Sequence, residues 1–598
     1  MIDEATLIRR IFADPNNPGP RLVYADWLEE EGRKDRAELV RFQTALHHNE
    51  ITEEGTGIVR QPTAPEREAM AARVEVLIPL LRNELLAPLE SLGINNLHLL
   101  GYIEVIRYDR GFVSHVSVDP EIWEHAEELF NAAPGLTGIS FVEFEDVESI
   151  QELLASPLLA RLTTMSFTLS TIEDQEMIAL AACPHLTGLR SLDLFTDSLD
   201  DADTAAAAIQ AILESSNLRN LEHLFLSRTT INPAEEYVVE LNLEEVSFPR
   251  LKSLEMANNS LYGSAALIAA ANLPNLEELN LSGNGNDGTV AAAIADNPAL
   301  TNLRSLGLGM NHIGTPGVIA LSQSPNLGRL EHLNVSMANL TYGAIIALSL
   351  SPTMCNLREL FLKDNNLTVA AAVALAHADN VRNLTVLDLA ENTIGDEGLQ
   401  AIALSANLGN LEMLMLDGGM ILPQGFGYVG LLAMATSRYL KKLSVLSLSE
   451  NDFGDDGLLA LSQGQFPALT NLNIEDTAIS DVGIAHITAN RHFHRLEVLN
   501  VSNNELGPEG ARAIAECPHF ATLRTIQMAN TGIGAAGAQA IAESNCLSRL
   551  AKISALQSAG FRHLVAQLLS PEERLREVNM LGESIFGVRP PGQNEGRS

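Results

Sequence analysis

Four short stretches carry residue types that could do chemistry. LTVLDLAENTIGDEG, Leu384 to Gly398, sets carboxylates on both sides of a strand-to-turn junction, with Asp388 and Glu391 before the turn and Asp396 and Glu397 after it. GNGNDG, Gly283 to Gly288, has the GxGxxG spacing between a strand and a helix that nucleotide phosphates favour. RHFHR, Arg491 to Arg495, brings His492 and His494 together near His486, as metal ligation would want. NDFGDDG, Asn451 to Gly457, concentrates carboxylates as a calcium loop does.

Each has a plainer explanation. GNGNDG occupies a position where glycines permit a tight turn. RHFHR has no neighbouring thiolate or carboxylate at ligand spacing and reads as a solvated basic loop. NDFGDDG lacks the alternating ligand order and distal Glu of a calcium site and reads as a helix start. Asp396 and Glu397 also fall where a helix begins, where acids cap free N–H groups and oppose the positive helix end. No GxxxxGK(S/T), HExxH or GxSxG occurs. No catalytic residue, metal ligand or cofactor is assigned, and the chain reads as a non-enzyme.

The elements that hold these stretches repeat. LxxLxLxx(N/T)x(I/L) recurs as LEELNLSGN from Leu276, LRSLGLGMN from Leu303, LRELFLKDN from Leu357, LTVLDLAEN from Leu384, LSVLSLSEN from Leu443, LEVLNVSNN from Leu496 and LRTIQMANT from Leu523. Looser copies start at Leu136, Leu162, Leu189, Leu221, Leu251, Leu330, Leu411 and Leu469, about fifteen in all, with a degenerate sixteenth at Leu550. From Leu276 to Leu411 the starts are 27 residues apart; longer spacings after Leu189, Leu221 and Leu411 require bulging loops. In each copy, alternating residues give a strand with one buried face, and a helical pattern follows the turn. An Asn such as Asn392 both donates and accepts, so stacked amides can satisfy the turn backbone of neighbouring copies. Thr229, Thr477 and Thr531 stand in the same place. One copy cannot bury its leucines alone, so stacking must make a continuous core.

These residues resemble the leucine-rich repeat family, in the longer, helix-containing type of the ribonuclease inhibitor. The resemblance implies an α/β solenoid over residues 136–549, with a curved parallel β-sheet inside and helices outside. IFADPNNPGPRLVYADWLEEEGRKDRAELVRFQTAL, Ile11 to Leu46, does not follow the repeat. It has two helical patterns, with Leu22, Val23, Trp27 and Leu28 near one face and Leu39, Phe42 and Leu46 near the next. Asp14, Pro15, Arg21, Leu22, Tyr24, Asp26, Trp27, Leu28, Glu29 and Glu30, then Arg36, Ala37, Glu38, Arg41 and Gln43, resemble the small companion domain at the front of planctomycete leucine-rich repeat proteins. That implies a bacterial source and an all-α N-terminal domain over residues 1–48. Arg21, Asp26 and Arg36 form either an interaction site or a salt-bridge set between helices. Residues 49–68 read as a linker. Residues 69–135 read as a helix packing on the mouth of the repeats, followed by a capping segment. Residues 550–587 read as a C-terminal cap and 588–598 as a disordered tail.

Composition bounds the partner. Asp plus Glu number 76 against 38 Lys plus Arg, a formal net charge of −38. Nucleic acid, which needs clustered cations, is thereby disfavoured. No apolar run reaches membrane-spanning length, so no membrane partner is expected. The four cysteines, Cys183, Cys355, Cys517 and Cys546, form no CxxC and read as buried thiols in a reducing, cytoplasmic setting.

On the concave side, the third, fifth and seventh positions of LxxLxLxx point away from the leucines and the eighth lies at the rim. From Leu357 onward they supply Glu359, Asp364, Asp388, Glu391, Asp417, Glu450, Glu475 and Asp476, with Lys363 the only cation. Ser305, Gly307, His332, Asn334 and Ser336 make earlier copies milder, and Phe195, Phe225 and Phe361 are possible anchors. Neighbouring like charges destabilise a sheet unless a cation relieves them. The expectation is a monomeric interaction scaffold for a basic protein or peptide, needing no cofactor. Control of a nucleotide hydrolase from the rim and structural self-association are the competing readings.

Overall fold

In the computed structural model, the described residues are 3–52, 59–90, 106–118, 120–142, 147–168, 172–196, 202–228, 246–261, 268, 271–419, 425–550 and 552–554. The chain divides into two compact units, one of Met1–Asp200 and Ala207–Phe225, the other of Asp201–Ala206 and Leu226–Ser598.

The first unit opens with four helices: α1 (Glu4–Ala13), α2 (Pro18–Glu30), α3 (Lys34–His48) and α4 (Ala64–Glu90). Pro18 starts α2, where its missing N–H is harmless, and Asn17 Oδ1 accepts from Gly19 N at 2.9 Å. The buried face of α2 differs from the apolar reading. Arg21, Tyr24, Ala25 and Leu28 are inside, Leu22 and Trp27 are half-buried, and Val23 is exposed. The reason is polar: Tyr24 donates to Glu4 Oε1 at 2.6 Å, and Arg21 Nη1 donates to the Pro15 carbonyl at 2.6 Å, so both side chains can go inside.

The stretch read as a linker holds an antiparallel pair, Ile51–Thr52 with Val59–Arg60, and the first turn of α4. Glu66 accepts from Thr63 N at 2.7 Å and pairs with Arg60 at 2.6 Å, which fixes that turn. Leu77, Leu81 and Leu85 of α4 pack on Leu39 of α3, so this helix belongs chiefly with the helices before it rather than with the mouth of the repeats. Strands Ile106–Asp109 and Phe112–Val118 form a hairpin whose turn, Arg110 and Gly111, takes positive φ at both residues. Phe112–Val118 then pairs in parallel with Gly138–Val142, and the parallel ladder continues through Thr164–Thr168 and Ser191–Thr196.

The repeat frame holds throughout. In every copy the strand begins two residues after its first leucine: Leu136 leads to Gly138–Val142, Leu384 to Val386–Asp388, and Leu550 to Lys552–Ser554. In the second unit, parallel strands run in register from Ser253–Glu255 to Lys552–Ser554. The fourth and sixth positions are the core; Leu387 and Leu389 are fully buried. Each helix packs on the helix of the next repeat and buries its own apolar stripe, as Leu399, Ile402 and Ala403 do in Gly395–Leu404.

Two polar ladders tie the copies together. Asn392 Nδ2 donates to the carbonyls of Leu362, Leu389 and Ala390 at 3.1, 3.0 and 2.9 Å, and its Oδ1 accepts from Asn365 N and Leu367 N. Thr477 and Thr531 donate to the carbonyl three residues back, at 2.9 and 2.8 Å, and Thr477 also reaches Asn504 Oδ1 of the next copy at 3.4 Å; Thr229 lies outside the described residues. The second ladder sits where each helix ends. Ser324, Ser351, Ser405 and Ser437 each donate, at 2.6 Å, to a carbonyl at the end of the preceding copy's helix. Cys183 and Cys517 fill the equivalent place, their thiols meeting the Leu154 and Thr488 carbonyls at 3.4 and 3.3 Å. Those two cysteines are buried, whereas Cys355 is exposed and Cys546 half-exposed, and all four are free thiols. The expected closing helices and tail after Ser554 lie outside the described residues.

Candidate functional site

The four stretches that could do chemistry are absorbed by the repeat. In GNGNDG, Gly283 and Gly285 take positive φ, Asn284 joins the amide ladder, and Asp287 caps its helix by accepting from Thr289 N at 2.8 Å. RHFHR is a 3₁₀ turn, Arg491–Phe493, rather than a plain loop, because Phe493 is buried and stacks on Phe466 with ring centroids 5.6 Å apart. Among the described residues, no group of three or more His, Cys, Asp or Glu side chains is placed to hold a metal ion.

Asp396 does cap a helix, but not its own. Its Oδ1 accepts from Gly427 N and Gly430 N, at 2.8 and 2.7 Å, at the start of the next copy's helix Tyr428–Ala435. Asp455 and Asp481 do the same for the helices beginning at Asp481 and Pro508. Within a single copy these acids look like self-caps; stacking brings the neighbour's unpaired N–H groups nearer.

Arg21, Asp26 and Arg36 are not brought together. Asp26 pairs with Arg41 at 2.7 Å, Arg36 pairs with Glu84 at 3.1 Å, and Arg21 bonds to Pro15. Gln43 bridges the Tyr108 carbonyl and Gly111 N, at 3.3 and 2.6 Å. The polar residues of this N-terminal motif thus serve contacts within their own unit.

The open strand face of the second unit carries the remaining candidates. Five successive strands, Glu359–Phe361, Val386–Asp388, Met413–Met415, Val445–Ser447 and Asn471–Asn473, pair in register. Each is followed by an acid at the seventh or eighth position of its copy: Asp364, Glu391, Asp417, Glu450, then Glu475 and Asp476. Glu450 and Asp476 are exposed, and the others are half-buried.

The fifth-position row is closed rather than bare, which corrects the expectation for Asp388 and Phe361. Asp388 is 5% exposed and Phe361 8%, and Met415, Ser447, Asn473 and Asn500 in the same row are equally buried. Strands about 4.8 Å apart press each fifth side chain between two neighbours. Phe361 is also covered by His332, whose ring lies 5.0 Å away and bonds Glu359 Oε2 at 2.5 Å. Phe225 is 38% exposed, and the side chain of Phe195 lies outside the described residues.

The acids act on one another. Burial pushes the Asp388 carboxyl up to about 6; the Ala390 N–H opposes this, while Asp417 and Glu391 add repulsion. Glu450 is raised by burial and then by Glu391, Asp417, Asp476 and Glu475. Asp364 is raised by burial and by Glu391. Lys363 loses hydration, which alone would lower its pKa. Its bond to Glu391 at 2.7 Å and the charges of Asp388 and Asp417 more than compensate and raise it. Asp417 is held by the hydroxyls of Ser447 and Ser449 and by Ser449 N at 2.9 Å. Glu475 accepts from Asn500 Nδ2 and Asn503 Nδ2, at 2.8 and 2.6 Å.

One feature of this row gave no sequence signal. The eighth position is left-handed, with φ of 49° at Asp364, 53° at Glu391, 57° at Glu450 and 49° at Asp476. Gly283 occupies the same position in an earlier copy, so a residue with no Cβ fits there. Glu at such a place costs about 1 kcal/mol relative to an unstrained backbone. A groove of about 950 Å³ lies elsewhere, between helices Tyr342–Ser349 and Val369–His377. Its lining is mostly apolar, and the acid row contributes nothing to it.

A leucine-rich repeat family model matches residues 299–322, 382–403, 439–462, 494–515 and 521–542. The chain carries leucine-rich repeats. With the strand and helix of each copy in place, the second unit is an α/β leucine-rich repeat array with a long parallel sheet and outer helices. Similar solved structures include an internalin from Listeria monocytogenes, at 18% identity and a TM-score of 0.36, over 69% of this chain and 94% of that one. The TLR13–ssRNA13 complex is similar at 17% identity and a TM-score of 0.40, over 72% of this chain and 57% of that one. No curated protein matches the sequence. No helix among the described residues is long and apolar enough to cross a membrane.

Proposed function

We propose that this protein is a non-enzymatic interaction scaffold whose open strand face binds a basic protein or peptide through Asp364, Glu391, Asp417, Glu450, Glu475 and Asp476. The observation that carries this reading is the unbroken row of acids on five paired strands, with Lys363 the only cation in those positions. Glu359 and Phe361 sit beside the row and stiffen its first strand through His332.

The repeats are of the ribonuclease-inhibitor-like type, and the N-terminal helices are a repeat-companion domain that tethers or positions the scaffold. The protein works as a monomer in a reducing, cytoplasmic setting, consistent with its four free thiols. Its partner is neither nucleic acid nor membrane, since the acid row would repel both phosphate backbones and anionic lipid.

The test replaces Glu391, Glu450 and Asp476 together by Asn. At low salt, wild type should retain a basic partner from lysate of its native host, and salt of about 0.5 M, which cuts the Debye length to about 4 Å, should release it. The triple variant should lose the partner while unfolding at no lower temperature, because Asn tolerates the left-handed backbone. Undiminished capture by the folded variant would reject the surface.

A further inference from the structure

We propose that the segment recognised is a basic amphipathic helix lying across the strands, a reading that rests on the acid row being the binding surface. Two parallel rows carry the argument. Along one, Asp364, Glu391, Asp417, Glu450 and Asp476 offer at least one carboxylate per strand. Along the other, Val386, Met413 and Val445 pair directly in the third position and stay half-buried on the open face. The eighth-position acids stand five residues beyond the third position, and Asp417 four, at most about 17 and 13 Å along an extended chain. A helix about 10–12 Å wide fits between them, its apolar stripe on the valine and methionine row and its edge on the carboxylates.

The spacing along the rows favours a helix over an extended peptide. Strands recur about every 4.8 Å, and a helix returns a side chain to the same face about every 5.4 Å. Over four intervals the two drift apart by about 2–3 Å, which a lysine stem absorbs. An extended peptide repeats about every 6.8 Å on one face, so its cations leave register after two strands. Lys363 shows the contact a partner ammonium would make, reaching Glu391 at 2.7 Å from the neighbouring strand.

The experiment uses the full chain and labelled Lys/Leu peptides of about 18 residues, followed by fluorescence anisotropy at low salt. One isomer places Leu at helical spacing, a second alternates Leu and Lys, and oligolysine is the third probe. The helical isomer should bind about tenfold more tightly than the alternating one. Val386→Thr with Val445→Thr should weaken the helical isomer several-fold and leave oligolysine unchanged. Equal binding of the two isomers, or an unaltered helical isomer with the threonine variant, would overturn the helix while leaving the acidic surface standing. No binding of any of the three probes would overturn both.

Discussion

Asp388 is the residue where burial and charge conflict most. It lies in the closed fifth row, where it accepts from the Ala390 N–H at 2.9 Å beside Asp417 and Glu391, and its pKa rises from 3.8 to about 6. A carboxyl whose folded pKa is raised favours folding while protonated. That contribution is complete below the unfolded value near pH 4 and is lost as pH climbs through about 6, an effect of at most about 3 kcal/mol. Asp388→Asn keeps a carbonyl for the Ala390 N–H and removes the charge. Its urea midpoint should exceed that of wild type at pH 8, and the gain should vanish at pH 4. A gain equal at both values would mean that packing, not ionisation, governs the site. The sequence revealed that Asp388 faces away from the leucines. Its closure depends on how tightly side chains fill a row across strands about 4.8 Å apart, which one copy alone does not show.

At the scale of elements, stacking between copies explains what each copy leaves incomplete. Asp396, Asp455 and Asp481 each accept two backbone N–H groups from the next helix. A glycine stands opposite in each case: a Cβ added at Gly430, Gly483 or Gly510 would fall 2.7, 2.4 or 2.4 Å from that oxygen. The pair is therefore one joint between repeats. Asp455→Ala should destabilise the second unit by about 1–2 kcal/mol, the usual worth of a helix cap, in chemical denaturation. Gly483→Ala should also destabilise, and adding it to Asp455→Ala should cost much less than in wild type, because the colliding oxygen is gone. Independent, additive losses would show that the two do not form one joint. The strands, the amide ladder and the helix starts were legible because each is written in the period of one copy. The joints were not, since an acid at a helix start looks the same whether it caps its own helix or its neighbour's. The buried face of α2 was hidden for a different reason, because Arg21 and Tyr24 go inside with partners that apolar periodicity ignores.

At the scale of the whole molecule, the proposed scaffold rests on charge and repetition together. The formal charge of −38 is spread along the chain, and in the second unit five paired strands align acids into one row. Interactions there would set encounter rate and partner choice and would be screened by salt. The fold was legible through sheer recurrence of leucine. The row itself was legible residue by residue, although its left-handed backbone and its closed inner neighbours needed coordinates. The most direct measurement places a photo-crosslinking side chain at Val445 on the open face, or at the exposed Leu404 on the helix side, in cells of the native host. One adduct is expected from position 445, lost when Glu391, Glu450 and Asp476 become Asn, and none of that mass from position 404. An adduct from 404 alone, or one from 445 that persists without the three acids, would contradict the proposed surface.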